Sequence, residues 1–232
     1  MLDNRIIRSS LFLVLSLGAL GLTACDKQDA PKPEATPQPA KTEAKPTEKP
    51  AEKPADKPAG ATAELKGSYK LDTAHSVVVF SAKHAGLSWT YGSFNKVDGK
   101  ITIDEDLAKS SVELDIDANS LFTAVKKRDD HLKGPDFFNT KQFPNITFKS
   151  KEIKADGDNY SVTGDLTLHG VTKPVTLTMN HVGHGDFPMD KSFRAGFEGT
   201  TTIKRSEFDM KNMLEAASDE VRLTIAIEAI RQ

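Results

Sequence analysis

Residues 128–138, RDDHLKGPDFF, pack two carboxylates, a histidine and two cations into six consecutive positions. Asp130 beside His131 is the kind of pair that an acid/base centre uses, with the imidazole carrying the proton and the carboxylate orienting it. The same letters also spell a short helix. On one helical turn Arg128, His131 and Leu132 share a side, and Asp129 and Lys133 are i,i+4 partners at the surface. Acids near a helix start are favourable by about 0.3–1 kcal/mol, and Gly134-Pro135 ends the turn. Phe137 and Phe138 then follow as apolar anchors. Every residue has a structural job in a lid laid across an opening, with Arg128 and His131 as candidates for the polar end of whatever lies beneath.

Three other constellations bear on chemistry. His181-Val-Gly-His184 has metal-ligand spacing only on a helix, because on a strand residues three apart face opposite sides. With the strand reading, and with no cysteine ligand nearby, no metal centre is expected. His75 adjoins Ser76, but neighbours on a strand face apart and there is no G-x-S-x-G elbow, so acyl transfer is not expected. His84 shares parity with Val78 and Phe80, which turns it inward as a core histidine or a head-group contact at the mouth of a cavity. The chain is therefore read as a binding protein, not an enzyme, with no catalytic residue and no cofactor beyond a bound lipid.

The elements that must position these residues are strands. Val97, Ile101 and Ile103 alternate with Asp98, Lys100 and Thr102, and Val112, Leu114 and Ile116 alternate with Glu113, Asp115 and Asp117. Tyr160, Val162, Leu166 and Leu168 share a face, as do Val221, Leu223, Ile225 and Ile227. This is the period of half-buried strands. About eight such segments occur, near 75–84, 92–104, 110–118, 145–155, 159–169, 172–183, 192–204 and 219–231. Asp156-Gly157-Asp158-Asn159 and His169-Gly170 punctuate them as hairpin turns. Two short helices are predicted, over 126–134 and 211–217. The fold class is mainly β, an eight-stranded antiparallel barrel with one or two short helices, whose interior is either filled or holds one small ligand. Inward glycines at Gly99, Gly164 and Gly199 leave room, or mark bulges.

The N-terminus reads as an export signal. Arg5 and Arg8 precede a short apolar run, Leu11 to Leu22, too short to span a bilayer as a helix. Leu22-Thr23-Ala24-Cys25 resembles the lipobox of bacterial lipoproteins, which implies cleavage after residue 24 and acylation of Cys25. Cys25 is the single cysteine, so no disulfide is available. Residues 26–62 hold eight of the 12 prolines, with seven lysines balanced by seven acids and no aromatic or large aliphatic side chain. Such a segment cannot bury enough apolar surface to order itself. It is a disordered tether, about 35 Å long as a coil. The domains are thus 1–24 signal, 25–62 lipidated cysteine and linker, and 63–232 barrel. The barrel portion carries a net charge of −3, which gives no support to nucleic-acid binding.

Four ordered stretches carry a family likeness: YKLDTAHSVVVFSAKHAGLSWTYGSF (69–94), RDDHLKGPDFFNTKQFPNITFKS (128–150), GDLTLHGVTKPVTL (164–177) and GFEGTTTIKRSEFDM (196–210). The chain resembles the YceI-like family, periplasmic lipocalin-like barrels that bind polyisoprenoid or related long-chain amphiphiles. Asp209 departs from the family's usual glycine, and 183–193 is longer than the usual turn. The resemblance implies a ligand in an elongated apolar channel and dimeric members, with no established catalysis. Expected ligand contacts are Phe80, His84, Val97, Ile101, Leu114, Arg128, His131, Phe137, Phe138, Phe148, Leu166, Leu177, Phe193 and Phe197. The expected role is a periplasmic protein, lipid-anchored to the inner or outer membrane of a bacterium. There it would bind an isoprenoid, quinone-like or fatty-acyl amphiphile for carriage, storage or sequestration. An enzyme modifying such a lipid through His131 and Asp130, or a filled-barrel interaction module, are the alternatives.

Overall fold

A computed structural model describes residues 63–156 and 159–232. The export signal, Cys25, the linker and the tip of the 156–159 turn lie outside the described residues. Eleven strands are present among those described: β1 (Gly67–Leu71), β2 (Val77–His84), β3 (Ser88–Phe94), β4 (Val97–Ile103), β5 (Ser111–Asp117), β6 (Leu121–Phe122), β7 (Asn145–Asp156), β8 (Asn159–Leu168), β9 (Val171–Asp186), β10 (Phe193–Lys204) and β11 (Ala217–Arg231). The order β1-β4-β5-β7-β8-β9-β10-β11 returns to β1 through a β1–β11 pairing, so eight antiparallel strands close a barrel. Closure leaves no free edge in that ring.

The predicted count of eight holds because three pairs of strands, β1 with β2, β3 with β4 and β5 with β6, are halves of longer, bent ones. β11 pairs with β1 at Ala229, opposite Leu71, and with β2 at Ala226, opposite Val77. Likewise β4 pairs with β1 and β3 with β2. β1 was not anticipated from the sequence. Its five residues are too few to display a period, yet Tyr69 and Leu71 are buried. The alternation read from sequence is the alternation of burial: Val112, Leu114 and Ile116 are buried, and Glu113 and Asp115 are exposed. At the β8–β9 connection His169 (φ 52°) and Gly170 (φ 77°) bridge Leu168 to Val171. Two consecutive left-handed residues make the turn whose twist suits a two-residue hairpin.

Helix α1 (Lys126–Leu132) forms where it was expected, but its charges are arranged differently. Asp129 does not pair with Lys133 at the surface. It is buried, and its carboxylate accepts hydrogen bonds from the amide (2.8 Å) and hydroxyl of Thr123. Arg128 clamps the same residue, with Nη2 donating to the Thr123 carbonyl at 2.6 Å and Nε to its hydroxyl at 2.8 Å. The surface i,i+4 pair is Lys126–Asp130, at 2.7 Å. The chain reverses just before the helix at Ala124 (φ 63°), which brings Thr123 under the first turn.

The second predicted helix, 211–217, is a turn instead, and Ala217 already belongs to β11. Arg205 explains why. Its guanidinium donates to the carbonyls of Met210 (2.7 Å), Asn212 (2.8 Å), Ala217 (2.7 Å) and Ser218 (3.0 Å), and Met213 sits at φ 52°. Carbonyls held by an arginine, and a left-handed residue, are incompatible with a continuing helix. The inward glycines do not leave free space either. A Cβ on Gly164 would lie 2.4 Å from the Lys149 carbonyl, and one on Gly199 would lie 2.1 Å from Met179 Sδ. Gly99 meets the Glu113 carbonyl at 2.2 Å in the same way. These glycines permit close strand approach and give their space to neighbours.

Candidate functional site

The inward faces of β2, β5, β7, β8, β9, β10 and β11 converge on a cavity of about 140 Å³. Phe80, Leu114, Phe137, Phe138, Phe148, Leu166 and Leu177, all expected from the sequence, line it. Val78, Ile146, Leu168, Ile203, Met210 and Ile225 are also in its wall, which presents an apolar surface. Their inward parity was readable in the strand alternation, so a fuller count of that pattern would have found most of them.

The lid segment supplies one wall. Leu132, Phe137 and Phe138 face the cavity from α1 and the turn that follows. Phe138 packs edge-on against Phe94 at 5.3 Å and tilts against Phe80 at 6.4 Å, forming an aromatic cluster with the Phe80–Phe94 pair at 5.5 Å. Such pairs add about 0.5–1.5 kcal/mol beyond their buried area. The far end of the lid is held by the β8–β9 turn. Phe143 packs on the His169 ring at 4.8 Å, and a Cβ on Gly170 would sit 2.5 Å from Phe143. His169 Nδ1 lies 3.2 Å from the Phe208 carbonyl, and its Nε2 is buried without a partner.

Arg205 also borders this cavity, which sequence reasoning missed. It is a buried cation (5% exposed) beside apolar walls, with Phe137 5.8 Å from its guanidinium carbon. Burial pushes its pKa below the ordinary arginine value, partly countered by Asp219. The four carbonyls it serves satisfy the charge locally.

A second, smaller cavity of about 60 Å³ lies further along the lumen, lined by Leu65, Ile101, Val112, Val162, Met179, Phe197 and others. The two are divided by one layer of side chains. Val162 faces the smaller cavity, and Leu177, its register partner, faces the larger. Val112 and Leu114 divide in the same way along β5. Of the remaining expected contacts, Val97 is core at 1% exposure and lines neither cavity.

Four further expected contacts also lie outside both cavities. His84 keeps inward parity but falls on the last residue of β2, where the wall ends, and it is exposed. Arg128 is occupied with Thr123. His131 is exposed, 3.6 Å from Asp136 and edge-on to Phe137, so Asp130 is not its partner. Phe193 lies under Arg231, whose guanidinium carbon is 3.7 Å from the ring centre.

His75 and Ser76 are not brought together for catalysis. Ser76 Oγ is bonded to the main chain of Glu228, whereas His75 Nδ1 contacts Asp72 Oδ2 at 2.9 Å. Asp72, His75 and Glu228 crowd together, and Arg194 bridges the two carboxylates at 2.7 and 2.6 Å. A cation already fills that cluster. The His75 hydrogen bond, with Arg194 behind it, holds Asp72 below the usual carboxylate range, and the same contact raises His75.

Residues 69–229 match the model of the YceI-like domain. A UPF0312 protein of Pseudomonas aeruginosa is 44% identical over 171 residues, covering 72% of this chain and 89% of its own. One from Pectobacterium carotovorum is 44% identical over 175 residues, covering 74% and 91%. Among solved structures, Burkholderia cenocepacia BcnA superposes with a TM-score of 0.61 at 30% identity, covering 68% of this chain and 98% of that one. The Campylobacter jejuni YceI protein gives 0.57 at 31% identity, covering 65% and 90%. A polyisoprenoid binding domain from Saccharophagus degradans gives 0.55 at 18% identity, a likeness of fold, covering 72% and 100%.

Proposed function

This chain belongs to the YceI-like family, and from that premise we propose that it binds the apolar tail of a long-chain amphiphile inside the barrel, for carriage, storage or sequestration. The observation that carries the reading is the lumen itself: two apolar cavities in one closed barrel, with aromatic side chains of the lid forming a wall of the larger. Each methylene moved from water into such a wall contributes about 0.8 kcal/mol. The Saccharophagus fold relative is described as polyisoprenoid binding, which favours an isoprenoid or quinone-like tail over other apolar ligands. Phe80, Leu114, Phe137, Phe138, Phe148, Leu166 and Leu177 are the contacts of choice, with Ile101 and Phe197 serving the inner cavity. Val97, Arg128, His131, His84 and Phe193 are left out of the set.

The amino-terminal sequence supports periplasmic export with acylation of Cys25 and a Lys/Pro-rich tether to a bacterial membrane. Anchored in this way, the barrel would draw its ligand from the adjacent bilayer. A test uses the full chain carrying Cys25→Ser, so that no covalent acyl group enters the spectrum. Native mass spectrometry is compared with an organic extract of the same sample. A stoichiometric apolar adduct is the expected result. A bare protein mass, with no uptake of polyprenyl, quinone or fatty-acyl compounds on titration, would overturn the reading in favour of a filled barrel.

A further inference from the structure

β9 and β10 run in register from Thr178 opposite Thr200 to His181 opposite Phe197, and then the register shifts so that Gly183 faces Gly196. Val182 is the extra residue, 67% exposed. An unbroken strand would turn His181 and His184 to opposite sides, but one bulged residue cancels that difference. Both imidazoles therefore lie on the inner side, His184 opposite the buried Ala195. The rings stack with centroids 5.0 Å apart and planes 27° from parallel, and His184 Nδ1 is 3.2 Å from His181 Nε2.

Three features of this pair point to a metal ion. A separation of 3.2 Å is what two imidazole nitrogens show when each binds one ion at ~2.0–2.1 Å, subtending roughly 100°. The other nitrogen of His184, Nε2, lies 3.2 Å from Glu64 Oε2. A carboxylate accepting that N–H fixes the tautomer that leaves Nδ1 with its lone pair, the usual outer partner of a metal-bound histidine. The rings are also held in place: Phe193 flanks His184 at 5.7 Å and Phe197 flanks His181 at 5.5 Å. Arg231 is engaged with the main-chain carbonyl of Glu64, which leaves the carboxylate to His184.

We propose that His181 and His184 form a two-imidazole site for a divalent late first-row ion such as zinc or copper, with Glu64 as the carboxylate that orients His184. Nitrogen ligands without sulfur suit these ions, and two protein ligands leave the other positions to water. In the ion-free protein the same gap is bridged by an imidazole–imidazole hydrogen bond. Neither histidine lines a lipid cavity, so the site stands independently of the ligand reading.

The test titrates the full chain, purified without a polyhistidine tag and stripped with chelator, with Zn²⁺ and with Cu²⁺. One saturable equivalent is expected, tighter for Cu²⁺ than for Zn²⁺. His181→Ala and His184→Ala should each weaken binding at least tenfold, and Glu64→Gln by about 10–100-fold. His75→Ala, in the Arg194-filled cluster, should bind as the parent does. Selective broadening of the His181 and His184 ring signals by Cu²⁺ in the unsubstituted protein gives a readout that needs no variant. The proposal fails if binding is not saturable, if both histidine variants retain it, or if the broadening centres elsewhere.

Discussion

Arg205 shows how much one side chain can organise. Its guanidinium serves four carbonyls of the 210–218 stretch, and lysine's single ammonium cannot reach four acceptors spread around a plane. Arg205→Lys is expected to lose about 2–4 kcal/mol, read as a lower urea midpoint with an unchanged slope. The cavity wall at Met210 and Ala217 would loosen with it. His131 lies at the other extreme. It is exposed, faces Asp136 and not Asp130, and borders no cavity. His131→Ala should shift stability by no more than about 0.5 kcal/mol and leave lipid uptake intact. A loss of uptake or of any lipid-modifying turnover in that variant would restore the enzyme reading.

Among the elements, the lid and the β8–β9 turn depend on each other. Gly170 is needed twice, for its left-handed φ of 77° and because Phe143 occupies the space of a Cβ. Gly170→Ala is expected to cost about 1–3 kcal/mol, seen as a lower melting temperature, and to raise amide exchange across 126–143. The end of the barrel near the β9–β10 connection is held differently, by ion pairs. Arg194 joins Asp72, Glu228 and Asp190, and stacks on Phe187. Hydrogen bonds from Ser192, then Arg194, hold Asp190 down to about 2, and Asp72 is also depressed. Folded-state values below the unfolded ones stabilise the barrel fully above pH ~4, and that contribution is lost as the pH falls through them. Melting temperature should therefore hold steady from neutrality to about pH 5 and drop steeply towards pH 2. His75 acts with the opposite sign, since its raised value adds stability at low pH that fades as pH rises through it. Arg194→Gln should flatten the acid-side slope only in part, because Ser192 still holds Asp190 and His75 still holds Asp72.

On the scale of the whole molecule, the lumen is smaller than a long tail. A cavity of about 140 Å³ is comparable with engineered cavities of about 150 Å³ that admit a benzene-sized guest. A long-chain ligand must merge the two cavities by displacing the layer in which Val162 and Leu177 meet. Leu177→Ala would open that layer at a cost of about 2–5 kcal/mol in the empty protein. It should also bind long isoprenols more tightly relative to short ones, measured by competition. The parent protein should gain melting temperature on loading, since ligand at 100 times its Kd adds about 2.7 kcal/mol.

The sequence by itself determined the class of fold, because inward and outward residues alternate within each strand and that period is local information. It therefore also named the cavity-facing Leu114, Phe148, Leu166 and Leu177, and the lid phenylalanines Phe137 and Phe138. The tertiary structure alone decided where parity breaks or stops. His84 has the right parity at a place where the wall has ended. His181 and His184 face one another because β9 carries one residue more than β10 across from it, a count that exists only once the two strands are paired. Asp129 and Arg205 turned inward for a similar reason. Their partners are carbonyls and amides that acquire fixed positions only when the chain has folded around them.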